Sequence, residues 1–162
     1  MKLRRRLVFM AFVAVSLATG GCLAFPNQLV GPLSVKVDEG QFSVAVCEDI
    51  VASSVWADTW GDGEVVEFWS AKSVEGSGVP ITRGTILSAS SIQDLFGAVE
   101  LSEPVFTKNT RLEVAVLNAT PKKSNFVAGF DLRGHLDDGD QWLHPDGTST
   151  DEPCKPDEST VP

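Results

Sequence analysis

From residue 33 onward the apolar residues of this chain recur at every second position, and that period constrains the fold more than any other feature. Leu33, Val35 and Val37 alternate with Ser34, Lys36 and Asp38, and Phe42, Val44 and Val46 with Ser43, Ala45 and Cys47. Leu112, Val114 and Val116 repeat the pattern, as do Phe126, Ala128, Phe130 and Leu132. Successive side chains of a strand point to opposite faces, so alternation of this kind marks strands buried on one side. The runs predict strands near 33–38, 41–48, 51–58, 64–71, 84–88, 98–107, 111–118, 125–133 and 140–143. Asp38-Glu39-Gly40 and Gly61-Asp62-Gly63 read as hairpin turns, since glycine supplies positive φ at no steric cost. Only Ser91 to Phe96 reads as helix. Seven to nine short strands, with turns every eight to twelve residues, predict an all-β fold, an antiparallel β-sandwich.

The order and spacing of these runs resemble immunoglobulin-like domains, although the Cys…Trp…Cys signature of antibody domains is not reproduced. The sandwich is expected over 32–144. The following 145–162 is polar, acidic and proline-rich, the composition of a tail that does not fold by itself.

Residues 1–21 have a different character. Lys2, Arg4, Arg5 and Arg6 precede an apolar run from Leu7 to Ala18, about the length of a signal-peptide hydrophobic region and too short for the roughly 20 residues of a spanning helix. The segment Leu17-Ala18-Thr19-Gly20-Gly21-Cys22 resembles the lipobox of bacterial lipoproteins. That resemblance implies cleavage before Cys22, diacylglycerol on its thiol, and a location on the extracytoplasmic face of the cell membrane. Two acyl chains hold a protein stably where one holds it marginally. Residues 22–31 then form a short tether, roughly 15–18 Å long if flexible.

The charge balance bears on partners. The chain holds 13 Lys+Arg against 22 Asp+Glu, and removing the leader leaves nine basic residues, a net charge of −13. Nucleic acid is not an expected partner, because phosphate binding needs a basic patch. Anionic lipid headgroups repel such a domain, which favours an outward-facing orientation.

With Cys22 lipidated, Cys47 and Cys154 remain as a pair, and an exported chain permits a disulfide between them. Such a bridge pins the acidic tail across the sandwich.

Catalytic motifs are not found: the chain has no GxSxG elbow, HExxH, Walker loop or GxGxxG after a strand. No catalytic residue, metal or cofactor is therefore expected. His135 and His144 flank Asp137, Asp138 and Asp140, but residues around an acidic turn are more often solvated than ligating. The distinctive stretch is Trp56 to Glu64. In a strand, Trp56, Asp58 and Trp60 share one face, followed by Asp62 in the turn. Tryptophan beside carboxylates can stack on a sugar ring or hold a cation, which makes Trp56, Trp60 and Asp62 candidate ligand-binding residues. The competing expectation puts Trp56 and Trp69 in the core and Trp60 over the hairpin end.

The expected function is that of a membrane-anchored, non-enzymatic binding or assembly module of the cell envelope, meeting an envelope protein or a glycan. The alternative is a small-ligand receptor for a sugar or envelope component, using the tryptophan hairpin.

Overall fold

The computed structural model describes residues 31–61, 63–74, 77–107, 109–136 and 139–156. In chain order the elements are β1 (Leu33–Asp38), β2 (Gln41–Val46), β3 (Ile50–Gly61), β4 (Glu64–Lys72), β5 (Val79–Ile81), β6 (Thr85–Ser88), α1 (Ala89–Leu95), β7 (Ala98–Leu101), β8 (Arg111–Asn118), β9 (Phe126–Asp131), β10 (Trp142–Leu143) and β11 (Ser149–Thr150). They form an all-β sandwich of two antiparallel sheets. One sheet has the order β11-β10-β1-β2-β6, and the other β7-β4-β3-β8-β9 with β5 on the start of β3. The segments β1-β2-β6 and β4-β3-β8-β9 reproduce the strand order of an immunoglobulin-like sandwich, with β7 added at the β4 edge.

Alternation explains which residues meet between the sheets. Leu33, Val35, Phe42, Val44 and Val46 face Val55, Ala57, Leu112, Val114 and Val116 across the core. Phe42 anchors an aromatic cluster, its ring 5.1 Å from Phe68 and 4.7 Å from Trp69, both edge-on. Fully burying a side chain of this size contributes roughly 1.5–3 kcal/mol.

The β1–β2 turn follows the sequence reading. Asp38 pairs with Gln41, leaving Glu39 and Gly40 as a two-residue loop with φ of 48° and 80°. Two positive φ values define a type I′ turn, whose twist suits a tight hairpin. At the other end of β1, a Cβ on Gly31 would lie 2.7 Å from the Val127 carbonyl oxygen, so the chain enters the sandwich pressed against β9.

Several elements depart from expectation, among them β5, where no strand is expected. The strand expected over 51–58 runs to Gly61, twelve residues in all. The strand expected over 98–107 stops at Leu101, because Pro104 has no N–H to continue a ladder; Phe106 turns back onto the aromatic cluster, 6.0 Å from Phe42. The stretch read as a tail from residue 145 carries the first sheet onward. Leu143 pairs with Ser149 and Trp142 with Thr150, so the sandwich extends past residue 144.

The Cys47–Cys154 disulfide is formed, with Cα atoms 5.4 Å apart. The Ser34 hydroxyl donates to the Pro153 carbonyl, and the Arg83 guanidinium donates to the Lys155 carbonyl at 2.9 Å. These contacts hold the chain after β11 against the end of the sandwich where β1 begins and β2 finishes, opposite the β1–β2 turn. The chain's entry at Gly31, the disulfide and the start of β3 share that end. The β3–β4 hairpin tip lies at the opposite one.

Candidate functional site

A β-bulge determines what the tip of β3 and β4 presents. Ala57 pairs with Trp69, yet Asp58 pairs with Glu67, leaving Phe68 as the extra residue. An extra residue lets two neighbours turn the same way, so Phe68 and Trp69 are both buried, each 2% exposed. Beyond the bulge the register is reset, and Glu67 and Val65 point outward beside Asp58 and Trp60.

Cross-strand partners share a face, so the pairings map the outer surface of this sheet in rows. The row nearest the tip holds Val65, Trp60, Arg111 and Asp131. The next holds Glu67, Asp58, Glu113 and Gly129. The third holds Glu100, Ser70, Trp56, Ala115 and Val127. Trp56 is half-buried on this outer face, so the expectation that it fills the core is corrected: Val55 and Ala57 take the inward positions. Trp69 is in the core as expected. Trp60 is 45% exposed near the hairpin end. Trp56, Asp58 and Trp60 share one face, as the alternation predicts. Asp62 and Cys22 lie outside the described residues.

Three carboxylates therefore stand side by side on neighbouring strands. Burial, then the neighbouring Glu67, pushes the Asp58 carboxyl above its ordinary range. Burial, then Asp58, does the same to Glu113. The Asp58 Oδ1 is buried and accepts no hydrogen bond from the described residues. No ion pair among the described residues reaches any of the three. The Arg111 charge falls instead on Asp131, whose carboxyl is held down mainly by its hydrogen bonds to Arg133. Sequence reading missed Glu67 and Glu113, because their partnership with Asp58 depends on strand order and on the bulge.

An open trough of about 710 Å³ adjoins this row, lined by Trp56, Glu67, Ser70, Lys72, Glu100 and Leu117 among others. Small residues beside Trp56 leave its surroundings open, and a Cβ on Gly129 would meet nothing within 4 Å.

The histidines are structural partners of the last hairpin. His135 Nδ1 lies 3.1 Å from the Ser149 hydroxyl, and His144 Nε2 lies 2.7 Å from that of Thr150. Among the described residues no three His, Cys, Asp or Glu side chains are grouped to hold a metal ion. Asp137 and Asp138 lie outside them, and Asp140 approaches Lys36 at 4.0 Å. Among the described residues no helix is long and apolar enough to cross a membrane.

No protein-family model, curated protein or solved structure matches this chain.

Proposed function

We propose that this chain is an extracytoplasmic lipoprotein, anchored through Cys22, whose sandwich acts as a non-enzymatic binding module of the cell envelope. Its recognition surface is the outer face of the six-stranded sheet. One observation carries the binding reading: Trp56 and Trp60 stand on the solvent side of β3, flanking a carboxylate with an unsatisfied buried oxygen. Large aromatics contribute most to stability inside a small core, so two on an outer face suit contact with something else.

The Cys47–Cys154 disulfide supports the exported location, since such bonds persist in oxidising compartments. The placement of the chain's entry also suits a tether. Trp60 is ten residues along β3 from Ile50, roughly 33 Å at the rise of an extended strand. A lipid at Cys22 would leave the tryptophan hairpin at the end remote from the membrane.

Membrane fractionation tests the anchor. Wild type is expected in the detergent-soluble membrane fraction and Cys22→Ala in the soluble fraction. Equal membrane association of the two would contradict the lipoprotein reading.

A second reading, a receptor for a sugar, is favoured by the trough beside Trp56, where Ser70, Lys72, Glu67 and Glu100 offer both donors and acceptors. Tryptophan emission titrated with neutral oligosaccharides checks it. A saturable shift lost in Trp56→Ala supports a sugar site, and no shift argues against one.

A further inference from the structure

We propose that the outer face of the six-stranded sheet docks a basic segment of a partner protein, an arginine or lysine side chain lying between Trp56 and Trp60 against Asp58, Glu67 and Glu113. This rests on the reading of that face as the binding surface and adds the chemistry of its occupant.

Charge complementarity selects the occupant. Like charges directly opposite on neighbouring strands destabilise a sheet, and here Asp58 faces Glu67 on one side and Glu113 on the other. Among the described residues, the cations of the same face leave this row without an ion pair. Arg111 stands beside Asp131 in the row nearer the tip, and Lys72 pairs with Ser54 and Ala98 two rows toward the other end. A neutral ligand would leave the repulsion in place. A guanidinium or ammonium group removes it and supplies N–H donors to the carboxylates of this row.

The aromatics suit the same group. Trp56 and Trp60 lie two residues to either side of Asp58 on one strand face, each roughly 7 Å along the strand from it. A cation over an indole ring is attracted by the negative π-face, and arginine also stacks on it as a plane. The aliphatic stem of either basic side chain can cover apolar surface while its head meets the carboxylates. Gly129 leaves the far end of the acidic row uncovered, and the carboxylates of Glu67 and Glu113 are separated by two inter-strand spacings, roughly 10 Å. An extended stretch of three residues spans that distance.

The test uses the detergent-solubilised full chain and three probes: a pentapeptide of alternating arginine and glycine, its glutamate counterpart, and chitotriose. Tryptophan emission is titrated for wild type, Trp60→Ala and the isosteric Asp58→Asn/Glu113→Gln double variant, with melting temperatures showing that each is folded. The proposal expects a saturable shift with the arginine peptide alone, weakened tenfold or more in the double variant and in Trp60→Ala, and weakened by added salt. Equal affinity in wild type and the double variant would mean diffuse attraction to an acidic protein and would overturn it. Saturation by chitotriose and not by the peptide would overturn the basic occupant while leaving the binding face intact. Saturation by neither probe would count against both.

Discussion

Asp58 is where the side-chain reading and the three-dimensional one meet. The alternation alone puts it on one face with Trp56 and Trp60, because strand geometry fixes that relation locally. That Glu67 and Glu113 flank it was not legible, since no local pattern reveals which strands are neighbours. The carboxyls of Asp58 and Glu113 are raised in the folded protein, so between their ordinary values and their folded ones the native state holds more protons than the unfolded chain. Their effect on stability is therefore unfavourable as pH rises, and it is fully present above the folded pKa. The Asp58→Asn/Glu113→Gln variant is expected to be more stable than wild type at pH 7, by about 0.5–1 kcal/mol of unfolding free energy, with the gap closing toward pH 4. Thermal unfolding across that range checks it, and a gap independent of pH would contradict the cause. His144 slopes the other way. Burial, then Lys155, holds its ring below 6.5, so its stabilising effect is complete above that pH and is lost as pH falls through the folded value. Amide protection factors in β10 and β11, corrected for the intrinsic slowing of exchange in acid, are expected to fall below pH 6.5, and less so in His144→Gln.

At the scale of the element, the positions of the main strands were readable, β4 included, and the bulges within them were not. β1, β2, β8 and β9 lie within two residues of their expected bounds. In β4 the consecutive burial of Phe68 and Trp69 breaks the period, and the extra residue that allows it has no sequence signal of its own. The same bulge turns Glu67 outward, so one backbone irregularity serves both core and candidate site. Phe68→Ala is expected to cost about 3–5 kcal/mol in chemical unfolding, as for a fully enclosed aromatic. Val65→Ser, at an exposed position beside Trp60, is expected to stay within about 0.5 kcal/mol. Equal losses at the two positions would contradict the bulged register. The last hairpin escaped the sequence reading for another reason. Composition marks 145–150 as polar, but pairing with the sheet edge, together with the buried His144, holds it in place.

Over the whole molecule, the two-sheet architecture was legible because period two and regularly spaced turns admit few alternatives. The pairing of Cys47 with Cys154 followed from export and parity, not from any local feature. It closes a loop of 107 residues, and the chain-entropy model gives about 4–5 kcal/mol for a loop of that length, an upper figure for real bridges. Reduction is expected to lower the unfolding midpoint markedly, with residues after β11 exchanging first. The fold also separates two jobs by distance: the chain's entry and the disulfide at one end, the tryptophan hairpin at the other. With the proposed anchor in place, the acidic surface would stand away from anionic headgroups and toward cationic partners. Intact mass spectrometry of the protein taken from its native membranes tests the account most directly. The predicted species begins at Cys22, carries a diacylglycerol there and contains one disulfide. A chain that still begins at Met1, with an unmodified thiol at position 22, would contradict it.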